Sequence, residues 1–277
     1  MMRSLWTAAS GMRAQQVNVD TIANNVANIN TIGYKSQQAS FKSLLYQNLQ
    51  STSTNNAGEN KPVAAEVGLG SRVAAITSTF TQGNLTHVEN PFSVALEGDG
   101  FFQIRTQSGE LQYTRDGSFE ISPVANGNML CTSDGNPVLD AYGNAIVLPS
   151  NRVATDLVVN QDGTLAFPDG TGNPAVITDA NGRPVKFGIY QFNNPAGLSK
   201  EGSNNYSVTA ASGAAVAENG NAAVKQTKTH QYYTEASNVD VANEMVNLIV
   251  AQRAYEMNSK AIQASDEMLQ QANSLRR

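Results

Sequence analysis

The chain has 277 residues, a formal net charge of −5 and a single cysteine, so an intrachain disulfide framework is excluded and no basic cluster offers a footprint for nucleic acid. Hydrophobic residues make up 40% of it and, with the 22 glycines added, the apolar share comes near the ~45–50% of globular chains, enough for one real core in one or two domains. Charged residues are only 15% against a usual ~25%, and 30 asparagines help to fill the gap, which gives a surface of amides able to hydrogen-bond across a contact between copies, although polar secreted proteins share this composition.

In chain order, the spacing of Leu5, Ala9, Met12, Val19, Ile22, Val26 and Ile29 predicts a helix over 5–30, with Gly33 just beyond it as a stop. At about 1.5 Å per residue it would run roughly 39 Å. Its opposite face carries Asn18, Asn24, Asn25 and Asn28, each costing about 0.5–0.7 kcal/mol against alanine in a helix. Such a helix needs a partner. A connecting segment over 36–69 follows, and within it 48–66 is rich in Ser, Thr, Asn and Ala and reads as a flexible loop or insert.

From 70 to 235 the texture is that of a mainly β domain. Asp-Gly pairs stand at Asp99-Gly100, Asp116-Gly117, Asp134-Gly135, Asp162-Gly163 and Asp169-Gly170, and Asn-Gly pairs at Asn126-Gly127, Asn181-Gly182 and Asn219-Gly220. Between short β-rich runs such as 101–104, 156–159 and 186–192 they read as turns. Cys131 reads as a small buried residue of this region.

The last segment mirrors the first. Ser237 and Asp240 have capping-box spacing. Val241, Met245, Leu248, Gln252, Tyr255, Ser259, Ile262, Asp266 and Leu269 then follow as a heptad seam with polar breaks. Met257, Ala261, Ala264, Met268 and Ala272 make a second stripe, and Arg276 and Arg277 suit the end of a helix. About 38 residues without a break would run roughly 57 Å. The expected fold class is therefore α+β: long terminal helices over 1–35 and 236–277 paired as an antiparallel coiled coil, with a mainly β middle domain. An α+β globule with both helices packed on the sheet is the competing arrangement.

Signatures of chemistry are missing. His87 and His230 have no metal-ligand spacing to each other or to Cys131. There is no Gly-x-Ser-x-Gly elbow, phosphate-binding loop or His-Glu-x-x-His helix, and Gly68-Leu69-Gly70 lacks the third glycine of a dinucleotide fingerprint. The Asp-Gly turns lack the alternating ligands of an EF-hand. No catalytic residue, cofactor or metal is expected. The N-terminus also lacks the ~7–15-residue apolar run of a signal peptide, and no stretch of ~18 apolar residues marks a membrane span or anchor.

Several blocks resemble the flagellar rod and hook protein family. Near the N-terminus these are Ala8-Ala9-Ser10-Gly11-Met12, Ile22-Ala23-Asn24-Asn25-Val26-Ala27-Asn28, Thr31-Ile32-Gly33-Tyr34-Lys35 and Phe41-Lys42-Ser43-Leu44-Leu45-Tyr46-Gln47. Gly68-Leu69-Gly70, Gln82-Gly83-Asn84-Leu85, Gly98-Asp99-Gly100-Phe101-Phe102 and Tyr113-Thr114-Arg115-Asp116-Gly117-Ser118-Phe119 continue in order, and the stretch from Glu235-Ala236-Ser237-Asn238-Val239 to Met268-Leu269 completes the match. Between about 125 and 225 the likeness is loose.

The resemblance implies a structural subunit that leaves the cell through the flagellar type III export apparatus, without a cleaved signal peptide, and assembles in the periplasm as a helical homo-polymer. Its implied partners are copies of itself, other rod proteins and the hook protein at the two ends, the surrounding ring proteins and the export apparatus. Leu5, Met12, Ile22, Val26, Met245, Leu248, Tyr255, Ile262 and Leu269 become candidates for subunit packing, and Phe41, Leu44 and Leu45 for export recognition. The opening Met2-Arg3-Ser4-Leu5-Trp6 and the insert between Gln47 and Gly68 favour a distal place in the rod, with a proximal place as the alternative. From a different class, a secreted β-rich adhesin or binding module would explain the middle of the chain but not its helical ends.

Overall fold

The helical spacing of the first segment produces α1, Met2–Ala27, in a computed structural model that describes residues 2–50, 65–124, 127–150, 152–168, 174–179, 182–221 and 224–275. The helix ends earlier than the expected residue 30, where Thr31 N donates to Asn28 O (3.2 Å) and its hydroxyl meets Asn28 Oδ1 (3.2 Å) in a local turn.

The second helix, α2, is Val241–Ser274, roughly 51 Å at 1.5 Å per residue. Its start corrects the expected capping box. The N-cap is Asp240, whose Oδ1 accepts from Ala242 N (3.0 Å) and Asn243 N (3.4 Å), while Ser237 Oγ accepts only from Val239 N (3.3 Å). The reason is Asn238, whose side chain is committed to Ser36 N, Thr79 O and Thr81 O, so the chain there cannot turn into a helix. Arg276 and Arg277 lie outside the described residues.

After α1 come four strands that form one two-stranded antiparallel ladder. β1 (Gln37–Ser43) pairs with β4 (Ser71–Ser78), and β2 (Tyr46–Gln50) with β3 (Ala65–Gly68). Leu44 N to Gly70 O (2.8 Å) and Leu69 N to Leu45 O (3.2 Å) join the two stretches, giving a ribbon of roughly 46 Å. The loop expected over 48–66 is thus corrected at both ends, where 48–50 and 65–66 are paired strand; 51–64 lie outside the described residues.

Contacts divide the chain into two compact units: Met1–Ala27, Gln37–Ser78 and Asp240–Arg277 form one, Asn28–Ser36 and Thr79–Val239 the other. The ladder groups with the helices, because α1 lies on it: Ser10 Oγ accepts from Ser71 N (3.3 Å), and a Cβ on Gly70, whose φ is 113°, would run into Ser10 Oγ. The expected connector over 36–69 and β domain from 70 place the boundary differently, since the ladder runs to Ser78.

In the second unit a six-stranded antiparallel sheet has the order Ser199–Gly202, Asn205–Ser207, Leu111–Thr114, Phe101–Arg105, Ile189–Gln191, Val216–Ala217. Phe101 and Phe102 face opposite sides of it, as the two-residue period of a strand requires. Phe102 joins Val94, Leu96, Ile104, Phe119 and Phe187 in the larger core, and Phe101 joins Tyr113, Phe192, Leu198 and Tyr206 in a smaller one. Gly135 (φ 79°) and Gly163 (φ 80°) take the left-handed conformation at the expected Asp-Gly turns. Cys131 is buried on the strand Gly127–Cys131. The architecture is α+β, with an N-terminal helix, a mostly β middle and a C-terminal helix.

Candidate packing sites

The two helices of the first unit meet through small and polar side chains. Ser4 Oγ lies 3.2 Å from Ser265 Oγ. Gly11 faces Asn258 so closely that a Cβ would stand 2.8 Å from its Nδ2. Asn25 Nδ2 donates to Glu244 Oε1 (3.1 Å). On α2 the side toward α1 is thus the seven-residue series Glu244, Ala251, Asn258 and Ser265, and Ala251 and Ser265 are its two buried residues. The expected seam had used Met245, Gln252, Ser259 and Asp266, one residue later and so rotated by roughly 100°.

Further round the helix α2 carries an exposed apolar stripe. Met245, Val246, Ile249, Val250 and Met257 fall on the side of α2 away from α1 and are each 56–65% exposed. Ala261, Ala264, Met268 and Ala272 extend the stripe and are exposed as well. Among the residues expected to pack, Ile22 is buried, Leu5, Met12, Val26, Leu248 and Ile262 are half-buried, and Met245, Tyr255 and Leu269 are exposed.

Asn25 is the residue that sequence reasoning misplaced. Set on the solvent face and counted as a helix cost, it is 1% exposed. Its signal was its type: a buried amide has two donors and an acceptor to satisfy.

On the ladder, Phe41 and Leu45 are exposed. Leu44 is half-buried and lines a groove of about 370 Å³ with Trp6, Arg13, Leu69 and Arg72. Of the three, Leu44 meets α1 in that groove, while Phe41 and Leu45 stay exposed on the ladder.

A second constellation, in the other unit, was not singled out from sequence. Lys35 Nζ donates to Glu235 Oε1 (2.6 Å) and to Thr81 O (2.8 Å). Gly83 N donates to the same carboxylate oxygen (2.8 Å), and Arg115 Nη1 lies 3.4 Å from Oε2. The Arg115 guanidinium also stands 4.9 Å from the centre of the Phe101 ring. Burial pushes the Lys35 ammonium and the Arg115 guanidinium below their ordinary pKa values, against the opposing pull of Glu235. Four of the quoted blocks meet here, supplying Lys35, Gly83, Arg115 and Glu235. Residues so far apart in the chain have no local pattern to betray them.

Among the described residues no group of three or more His, Cys, Asp or Glu is placed to hold a metal ion, and no described helix is long and apolar enough to cross a membrane.

Three sequence profiles match the chain: "Flagella basal body rod protein" over 5–35, "Flagellar hook protein FlgE/F/G D1 domain" over 95–167 and "Flagellar basal body rod FlgEFG protein C-terminal" over 230–275. The chain is 44% identical over 283 residues to the flagellar basal-body rod protein FlgG of Borreliella burgdorferi, covering 100% of both. It is 38% identical to the FlgG of Caulobacter vibrioides over 279 residues, 99% of this chain and 100% of that one. With the flagellar hook-basal body complex protein FlhP of Bacillus subtilis it shares 34% over 283 residues, again 100% of each.

Proposed function

Because this chain belongs to the flagellar basal-body rod protein family, structural subunits of the flagellum and not enzymes, we propose that it builds the distal rod, a helical tube of many copies that carries torque to the hook. The observation that carries this reading is the exposed apolar side of α2. A helix with a wide apolar face needs something to cover it: α1 lies against the small, polar side, and a neighbouring copy covers the apolar one.

Within each copy α1 and α2 pair as an antiparallel coiled coil. In support, the partners Ser265, Asn258 and Glu244 descend along α2 as Ser4, Gly11 and Asn25 ascend along α1. Glycine and serine at such contacts let two helices approach closely, which resists twisting through close-packed atoms. Leu5, Met12, Ile22, Val26, Leu248 and Ile262 pack around that seam, with Tyr255 and Leu269 at its margin on the same side of α2, and Met245 joins Val246, Ile249 and Val250 in facing other copies.

The subunit assembles with other rod and hook components: rod proteins at one end, the hook protein at the other, and ring proteins around the tube as it crosses the periplasm. It reaches that place through the flagellar type III export apparatus, which reads Phe41, Leu44 and Leu45 in the unfolded chain. The insert over 48–66 bridges neighbouring copies and stiffens the tube; its paired ends, Tyr46–Gln50 and Ala65–Gly68, support this by starting a ribbon rather than a slack loop.

The test is to image basal bodies purified from cells that express the chain with a small label. Label along the distal rod agrees with the proposal. Label confined to the proximal end, or absent from purified basal bodies, contradicts it.

A further inference from the structure

The side of α1 turned away from α2 carries an open apolar groove with two cations on it. Ser4, Gly11 and Asn25 are the residues of α1 that meet α2, and the helical period turns Trp6, Ala9 and Arg13 to the far side. There they border the groove of about 370 Å³, whose other flank is the ladder residues Leu44, Leu69 and Arg72. Trp6 is 73% exposed and Leu69 36%. An indole left this open is a large apolar area without cover, and tryptophan is among the side chains that most often anchor a contact between proteins.

Charge selects the occupant. Among the described residues no carboxylate pairs with Arg13 or Arg72. Of the four acids within α2, Glu244 accepts from Asn25, Glu256 from Arg253 and Asp266 from Gln270. The fourth, Glu267, has no such partner among the described residues. It stands two residues after the buried Ser265, so roughly 200° round the helix and away from α1. Its neighbours on that side are Ala261, Ala264, Met268 and Ala272, all exposed.

We propose that the groove of one copy takes the stretch 261–272 of α2 from a second copy, with Met268 against Trp6 and Leu69 and with Glu267 between Arg13 and Arg72. The alanines suit this place, because short side chains let the entering helix lie close to the indole. The groove's own copy cannot fill it, since its α2 holds the opposite side of α1. Groove and stripe are different patches of one chain, so the contact is heterologous: each copy gives its helix to one neighbour and takes a helix from another. Contacts of this kind build an open helical series, where a self-complementary patch would stop at a two-fold pair. The pairing rests on the reading of the chain as a rod subunit and names the surface that covers the α2 stripe.

A photo-reactive benzophenone amino acid in place of Trp6, or of Leu69 in a second variant, tests it in basal bodies purified from cells that make the full-length chain. Illumination should give covalent dimers of this chain whose joined peptide lies within 261–272. Glu267→Arg, which sets like charges together, should cut the dimer about tenfold, and adding Arg72→Glu should restore most of it. A residue that mattered only for folding would not be rescued by a charge on another element. Dimers joined elsewhere, adducts to a different protein, no dimer although the chain is in the basal bodies, or a yield that Glu267→Arg leaves unchanged would overturn the pairing and leave the rod reading standing. A chain missing from the basal bodies would refute the rod reading and the pairing together.

Discussion

The side-chain amide of Asn25 makes two hydrogen bonds to the backbone of Gln37: Oδ1 accepts from Gln37 N (2.8 Å) and Nδ2 donates to Gln37 O (2.8 Å). A side chain of α1 thereby does for the first residue of β1 what a neighbouring strand would do, while the same Nδ2 reaches Glu244 of α2 at 3.1 Å. Helix, ladder and second helix are tied at one buried amide.

Asn25→Ala is expected to leave Gln37 N and O without these partners. The amide's three hydrogen bonds to Gln37 and Glu244 contribute about 0.5–1.5 kcal/mol each, so a loss of roughly 2–4 kcal/mol in the helical unit is predicted. Hydrogen exchange in α1 and β1 reads it directly; protection unchanged from the parent chain contradicts the role.

Gly11 separates close approach from simple helix propensity. A methyl group there meets only the end of the Asn258 side chain, which can move, and alanine favours a helix by about 0.8–1 kcal/mol over glycine. Gly11→Ala should therefore change stability little. Gly11→Leu should lose about 1–3 kcal/mol by overpacking the seam. Denaturant unfolding of both variants checks the pair, and equal tolerance of leucine would show that the helices do not meet at this level.

The cap assignment has its own contrast. Asp240→Ala should cost about 1 kcal/mol of α2 stability, whereas Ser237→Ala, which removes one weak local acceptor, should stay within roughly 0.5 kcal/mol. Circular dichroism melts would reverse that order if the helix began at the earlier residue.

Burial pushes the Asp116 carboxyl up, opposed by the Ser118 hydroxyl and amide that bond its Oδ1. A carboxyl whose folded pKa is raised contributes stability that is fully present below its unfolded value and is lost as pH rises through the folded value. Asp116→Asn keeps the acceptor and removes the charge. The variant should thus gain on the parent chain near pH 7 and lose that advantage as the pH falls through the carboxylate range. A parent chain that instead gains on the variant with rising pH would reverse the sign.

The two helices and the β texture between them were legible because they rest on periodicity and on turn residues. The contact side of α2 was not, for a physical reason. Ala251, Asn258 and Ser265 face α1 and carry almost no hydrophobic signal, while Met245, Val246, Ile249 and Val250 carry a strong one and face away. Periodicity alone merges a seam with a free surface. Asn25 illustrates the same limit, since propensity prices an exposed asparagine and the structure buries this one. The Lys35–Arg115–Glu235 cluster was invisible for want of any local pattern, although each member lay in a block that carried the family resemblance.

The central claim is that the free side of α2 is a contact between copies in the rod, and Ile249→Asp tests it most directly. Ile249 is 56% exposed, so in the isolated chain the carboxylate stays solvated and the change should be within about 0.5 kcal/mol, a shift of the melting temperature of under roughly 2 °C for a chain of this size. In a rod the same group would be buried without a partner at every subunit, at several kcal/mol each. The account predicts an isolated chain that melts normally and cells without rods beyond the point where this subunit joins. Leu248→Asp, one residue away and half-buried beside α1, should instead destabilise the isolated chain. Rods of normal length and number with Ile249→Asp would contradict the account.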